Sequence, residues 1–366
     1  MTADPSRQRI VGLDGLRAVA VLGVLFFHLD LPGAQLGWAG VELFYVLSGF
    51  LITRILLDLR TQPAYLRTFY FRRALRILPI YFLVIAVTSL LALATDRPES
   101  LATLPYYLLY LQNYYPQIAS LNSEGIPLTN HTWTLAVEEQ FYWLWPIVVL
   151  VATGRRLRAV LLFMFIAAPA ARLGLLLWTG NPFAGIASLV AQIDALAAGA
   201  FLATVRVPTA AKGLFARRGA VSAAAGVILL FLLVDASGLA AFAEPTQWAI
   251  RPVNVLVLSG MALLFGGVTA VTLAGVRPVT AVLAFPPLAH LGRISYGLYL
   301  YYPLAIFFAT VVADAISPDR SRTERGLVLT AGAVLLNYVL ALGSWRYLER
   351  PILRYRNRSK AANPVS

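Results

Sequence analysis

The chain contains no cysteine in its 366 residues. That excludes disulfides, thiolate nucleophiles, Cys-ligated zinc and iron–sulfur clusters. Histidine is scarce too: His28, His131 and His290 are the only three, too few for a His-rich site, and no metal is expected. Charge is thin. Only 13% of residues are charged and 59% are hydrophobic, where a soluble domain has about a quarter charged; mean hydropathy is +0.72. Acidic residues number 17 against 30 Lys and Arg, a formal net charge of +13. No Gly/Ser-rich linker or obvious repeat divides the chain. One domain is expected over 1–366, with a core of 10–354 and a short basic tail, 355–366. The first apolar segment lacks an evident cleavage site and is followed at once by another, so no cleavable signal peptide is expected.

What fills the chain instead is long apolar runs. A helix needs roughly 20 apolar residues to cross the hydrocarbon core of a bilayer. Windows of that size pick out 11–30, 38–57, 74–94, 136–152, 159–178, 184–205, 219–235, 251–273, 293–314 and 326–348. The predicted fold is therefore an all-α membrane protein, a single bundle of about ten transmembrane helices. The segment 104–114, "LPYYLLYLQNY", is too short to span and reads as an interfacial helix or part of an outer loop. "FPPLAHLG", 285–292, has adjacent prolines and reads as a break before the ninth helix.

Basic loops stay on the cytoplasmic side. With Arg7 and Arg9 inside, the inner loops and tail hold most of the basic residues, among them Arg54, Arg60, Arg155, Lys212, Arg346 and Arg350. Arg97, Arg251, Arg320, Arg322 and Arg325 fall outside. This asymmetry predicts that both termini are cytoplasmic. It also accounts for most of the positive charge, so no nucleic-acid partner is expected.

Ionisable residues within spans are costly unless paired and tend to mark function. Here they are Arg17, His28, Glu42, Glu138, Glu139, Arg172 and Asp194. Arg172 and Glu139 can also be read as charges snorkelling to the interface. Asp194, among small residues in "AQIDALAAGAFLA", reads better as a paired carboxylate in close helix packing than as a catalyst. Arg17 and His28 are eleven residues apart. At about 100° per residue they end up ~20° from three full turns, with a rise of ~16 Å, and so project from one face near opposite leaflets. Glu42 enters the second helix in "GVELFYVLSGFLIT", where Ser48 and Gly49 permit close helix approach. In "FYFRRALRILP", Arg72, Arg73 and Arg76 cluster beside aromatics at the cytoplasmic end of the third helix. Such a cluster suits an anionic headgroup or the phosphates of a cytosolic cofactor. In "NHTWTLAVEEQFYWLWP", Trp133, Tyr142, Trp143 and Trp145 can form an interfacial aromatic belt, yet Glu138 lies five residues past Trp133 on the side where His28 ends. A carboxylate facing a histidine orients the imidazole and raises its basicity.

These stretches, in order, resemble acyltransferase family 3, integral-membrane O-acyltransferases of surface polysaccharides, lipopolysaccharide, peptidoglycan or macrolides. "GLDGLRAVAVLGVLFFH" resembles the family's opening Arg-x10-His motif, "GVELFYVLSGFLIT" its second, "FRRALRILPIY" its arginine motif and "HTWTLAVEEQFYWLWP" its Trp-Ser/Thr-Leu-x-x-Glu motif. "IDALAAGAFLA", "LGRISYGLYLYYP" and "WRYLERP" also fit. The resemblance runs from Ile10 to about Arg354. Two positions depart from it: Gln192 stands where members often have Arg, and Tyr301-Tyr302 where an aromatic–His pair is common.

The resemblance implies a multi-pass protein of the bacterial inner (plasma) membrane. It implies a cytosolic acyl-CoA donor, most often acetyl-CoA, and a carbohydrate or glycosylated acceptor. Arg72, Arg73 and Arg76 then hold the CoA phosphates, and Arg17 steers the pantetheine arm or balances charge. His28 acts as general base, or through a covalent acyl-histidine, with Glu138 as its partner and Glu42 assisting. Trp133, Ser48, Asp194 and Tyr302 are assigned to the substrate side or to structure. The rival reading is a multi-helix secondary transporter or flippase of an anionic or lipid-linked substrate, which buried charges and midspan glycines also suit.

Overall fold

The structure, a computed structural model, describes residues 10–114, 125–181, 183–205, 207–237, 255–316 and 322–354. The basic residues Arg7, Arg9, Arg206, Arg251, Arg320, Arg356, Arg358 and Lys360, and the tail 355–366, lie outside the described residues.

Among the described residues the chain is helical, with no strand. The long helices are α1 (Val11–His28), α2 (Gly40–Leu59), α3 (Tyr65–Ala94), α4 (Trp133–Val151), α5 (Gly154–Thr179), α6 (Leu189–Thr204), α7 (Lys212–Ser237), α8 (Val257–Ala274), α9 (Ser295–Ile316) and α10 (Arg322–Ser344). Among the described residues 9 helices are long and apolar enough to cross a membrane. The long helix outside that set is α4, whose Glu138, Glu139 and Gln140 lie among tryptophans and tyrosines that lower its hydropathy. The protein is an all-α membrane protein.

Several expected boundaries move. The third helix begins at Tyr65, not near residue 74, and runs for 30 residues. A hydropathy window finds the stretch that suits hydrocarbon and is blind to a helical turn rich in Arg, Thr and Tyr. Arg72, Arg73 and Arg76 therefore lie inside α3, with Arg72 about 10 Å from its start, and not at its end. The expected break at Phe285–Gly292 is instead a short helix, Pro286–Arg293, opened by its two prolines. Proline is well suited to a first helical turn, where its missing N–H has no partner to lose. The interruption falls at Ile294, just before α9. The segment 184–205 is two helices, Ala184–Ala187 and α6, parted at Ser188. The segment 104–114 contains only the five-residue helix Leu104–Leu108.

The chain packs as two compact units. The first comprises Met1–Ile55 and Ile147–Arg293. In it, α1 and α2 share an apolar cluster of Leu13, Leu16, Ala20, Leu43, Leu47 and Phe50, capped by Leu283. Where α2 crosses α6, Gly49 faces the Leu196 carbonyl and Gly199 faces the Val46 carbonyl. A Cβ at either position would overlap the opposite backbone. Small residues let helices in an apolar medium gain dispersion contacts that lipid cannot outcompete.

The second unit comprises Leu56–Pro146 and Ile294–Ser366. Here α3 and α4 run antiparallel. Tyr65 donates its hydroxyl to the Pro146 carbonyl at 3.0 Å and Tyr70 to that of Trp143 at 2.8 Å. Towards the other end of α3, Tyr81 donates to the Tyr107 carbonyl at 2.9 Å. Tyr296 of α9 donates to the Ile77 carbonyl at 2.9 Å, tying α9 to α3. The segment after Leu108 is drawn into this unit. Gln112 donates to the Thr132 carbonyl at 2.9 Å, and Gln140 donates to the Tyr110 carbonyl at 2.7 Å and to Asn113 Oδ1 at 2.8 Å. Burial pushes the Tyr107 phenol up to about 12, so it stays un-ionised and accepts a hydrogen bond from Thr129 at 2.8 Å.

The α2–α6 crossing leaves no room for a side chain. Gly199→Val is expected to destabilise the protein by about 1–3 kcal/mol through overpacking. Its unfolding midpoint in detergent should fall below that of Gly174→Val on α5, where a Cβ meets nothing within 4 Å. Equal midpoints for the two variants count against the crossing as described.

Candidate active site

In the first unit, α1 is unbroken from Val11 to His28. Arg17 and His28 therefore share a helical face, separated by about 16 Å along the axis, on the stripe that also carries the buried Leu13, Ala20 and Val24. Arg17 is half-buried, and His28, the last residue of the helix, is exposed. His28 Nδ1 lies 2.8 Å from the Val24 carbonyl oxygen. A carbonyl can only accept, so Nδ1 carries the proton and the neutral imidazole has its lone pair on Nε2. The ring meets Phe27 edge to face, with centroids 5.1 Å apart.

Deeper in the same unit lies a buried charge pair. Arg172 of α5 and Asp194 of α6 meet at 2.8 Å, with side chains 2% and 0% exposed. The guanidinium also donates to the Val255 carbonyl at 2.6 Å, to Ser259 Oγ at 2.6 Å and to the Ala191 carbonyl. Asp194 accepts in turn from Ser259 Oγ at 2.6 Å and from the Ala195 N–H at 3.0 Å. Arg172 does not snorkel: every direction of its planar fork finds an acceptor within the protein. Glu42 of α2 is buried beside this pair, under the charges of Asp194 and Arg172 and facing the Gln192 amide. Gln192 donates to the Ile186 carbonyl at 2.8 Å. An amide thus stands at 192, and the cation against Asp194 comes from α5. Ser48, one residue before the α2–α6 contact at Gly49, is half-buried.

In the second unit, α4 presents Glu138 and Glu139. Glu138 Oε2 accepts from the Tyr142 hydroxyl at 3.0 Å, one turn along the helix. Glu139 is 8% exposed and lies under the charge of Arg73. The Arg73 guanidinium sits over the Tyr142 ring, 4.3 Å from its centroid. The three arginines of α3 are thus not equivalent: Arg73 is turned to α4, Arg72 is half-buried and Arg76 is exposed. Trp133 is half-buried. Tyr302 is buried against His131, with ring centroids 5.0 Å apart, and beside Tyr299 at 5.9 Å. The aromatic belt read from this stretch does not form as one. Tyr142 and Trp145 are each 2% exposed, while Trp143 is 43% exposed. The alternation follows from helical periodicity, which turns neighbouring positions to different faces.

One participant escapes sequence reading altogether, and two were seen without their partners. Ser259 is an unremarkable serine in an apolar run, and only the fold brings it to Asp194. Arg172 could have been found by pairing opposite charges in neighbouring spans. Tyr142 was legible as i+4 from Glu138, but its aromatic neighbours suggested a belt. Among the described residues no group of His, Asp and Glu is placed to hold a metal ion.

These features define a multi-pass membrane protein with a histidine of fixed tautomer at a helix end and paired carboxylates and arginines within its helices. A family model described as "Acyltransferase domain" matches residues 10–342, and the chain belongs to this acyltransferase family. It is similar to the O-acetyltransferase OatA of Staphylococcus aureus (strain NCTC 8325 / PS 47), 28% identical over 366 residues that cover 95% of this chain and 58% of that protein. It is equally similar to the peptidoglycan O-acetyltransferase OatA of Listeria monocytogenes serovar 1/2a, 28% identical over 378 residues that cover 95% of this chain and 56% of the relative. The chain thus spans less than two thirds of the length of these relatives. No solved structure matches it.

Removing one partner of the Arg172–Asp194 pair strands a charge in an apolar interior. Arg172→Ala is expected to cost about 3–5 kcal/mol, and the double variant Arg172→Ala/Asp194→Ala less than the two single losses combined. Unfolding of the purified protein measures both; additive losses refute the coupling.

Proposed function

We propose that this chain is a membrane O-acyltransferase that moves an acyl group, typically acetyl, from cytosolic acyl-CoA to a hydroxyl of a carbohydrate acceptor of the peptidoglycan kind. The observation that carries the reading is the Nδ1–H···O=C bond from His28 to Val24 at 2.8 Å. It sets the lone pair on Nε2, the nitrogen a general base needs, at the end of a helix whose remaining residues are almost all apolar. Family membership supports the reaction class, and the proposed acceptor class follows what the relatives' names say of those proteins.

In this reading His28 Nε2 takes the proton of the acceptor hydroxyl as its oxygen attacks the thioester carbonyl. The C–O bond forms, the C–S bond breaks, and the CoA sulfur leaves with the proton returned by the imidazolium. Glu138 is proposed as the carboxylate that supports the charged imidazole, and Glu42 as an assisting acid within its buried cluster. Arg72, Arg73 and Arg76 are proposed to hold the CoA phosphates, a task that suits the guanidinium fork. Arg17 is proposed to steer the pantetheine arm. Trp133, Ser48 and Tyr302 are proposed on the substrate side or as structural supports, and Asp194 as structural. The protein is proposed to lie in the bacterial inner membrane with both termini in the cytoplasm.

His28→Ala is expected to lower transfer from acetyl-CoA by at least about 100-fold, the ordinary worth of a positioned general base. Near-wild-type turnover by the purified variant sinks the assignment. Orientation has its own test, made clean by the absence of native cysteine. Arg158→Cys should react with an impermeant maleimide only after the cells are opened, and Glu99→Cys, with both sites exposed in the fold, should react in intact spheroplasts. The opposite pattern inverts the topology.

A further inference from the structure

Tyr142 meets two of the residues placed in the reaction. Its hydroxyl donates to Glu138 Oε2 at 3.0 Å, and its ring face carries the Arg73 guanidinium at 4.3 Å. It is 2% exposed, so it has no interfacial duty of the kind Trp143 can perform at 43%. The turn of α4 that bears it is held from outside that helix. Pro146, four residues on, has no N–H to offer the Tyr142 carbonyl, and α3 instead clamps this stretch through Tyr65 to Pro146 and Tyr70 to Trp143. Arg73 is constrained from the same side. Its Nε is buried without a hydrogen-bond partner, the Tyr142 ring lies beneath its guanidinium, and its charge acts on Glu139. A cation on the face of a phenol also draws electron density from the ring and makes the O–H a stronger donor.

We propose that Tyr142 is a positioning residue for acyl transfer, seating Arg73 on its ring and holding Glu138 through its hydroxyl, so that one side chain sets the register between a donor-side cation and a reaction carboxylate. This rests on the functional reading above. The two halves of the side chain then have separable consequences. The hydroxyl acts on the chemical step through Glu138, and the ring acts on donor binding through Arg73. Arg73 thereby differs in role from Arg76, which is exposed on α3.

The test compares Tyr142→Phe, which keeps the ring, with Tyr142→Leu, which keeps neither ring nor hydroxyl. The full chain in detergent is assayed with acetyl-CoA as donor and soluble glycan strands of peptidoglycan as acceptor. Tyr142→Phe should lose about tenfold in kcat at unchanged KM for acetyl-CoA, the loss expected of one hydrogen bond to a charged group. Tyr142→Leu should show the same kcat loss and, in addition, a KM for acetyl-CoA raised about threefold or more by the missing cation–π contact. Tyr142→Phe with kcat within about twofold of wild type overturns the proposal, as does an equal loss in both variants that tracks an equal fall in unfolding midpoint. If wild type and Tyr142→Phe transfer alike while His28→Ala does not, only the role of Tyr142 fails. If the wild-type protein shows no CoA-dependent transfer, the functional reading fails and this inference falls with it.

Discussion

A chain this apolar can keep an ion in its interior only by supplying every partner itself. The Arg172–Asp194 pair is where that requirement is strictest, and the first unit is organised around it. In hydrocarbon there is no water to take up an unspent N–H or C=O, so each costs several kcal/mol. Arg172 meets this by reaching the Asp194 carboxylate, Ser259 Oγ, and the Val255 and Ala191 carbonyls. Those partners come from α6 and from α8 with the residue pair just before it, so one guanidinium joins three segments of chain, α5 included. The crossing of α2 on α6 at Gly49 and Gly199 then brings α2 against the same helix that carries Asp194. That is how Glu42 comes to lie beside a pair with which it shares no sequence neighbourhood.

The second unit solves the same problem with neutral groups. Gln112, Gln140, Asn113 and the tyrosines 65, 70, 81 and 296 donate mostly to main-chain carbonyls. A tyrosine suits this work in a membrane: its body is apolar and its single hydroxyl can satisfy a carbonyl at long reach. Prolines inside α3, α4 and α9 leave carbonyls without their helical N–H, and side chains from neighbouring segments make such interruptions tolerable. The register of α3 against α4 follows from those hydroxyls, and it places the Arg73 guanidinium at Tyr142 and not in the solvent.

How much of this was legible beforehand varies from residue to residue. Ten long helices were visible because apolar runs of the right length have few alternatives, and the face shared by Arg17 and His28 followed from the 3.6-residue period alone. The start of α3 was not visible, because hydropathy reports on hydrocarbon compatibility and the turn Tyr65–Phe71 is helical for reasons of packing. The pairing of Arg172 was open between snorkelling and burial, since a charge near the end of an apolar run admits both. Tyr142 and Trp145 looked like interfacial aromatics because composition records that an aromatic is present, not which way it points.

The sequence by itself determined that this is a membrane protein built of helices, that it uses neither thiols nor disulfides, and which family it belongs to. Those properties depend on composition, on run length and on motifs within single segments. Only the tertiary structure decided what the arginines meet across helices: the Asp194 carboxylate with Ser259 for Arg172, and the Tyr142 ring for Arg73. The physical reason is that a hydrogen bond is made between atoms about 3 Å apart. Sequence fixes such a distance within one helical turn, as for His28 and Glu138, but for Arg172 it is reached only when separate helices have packed.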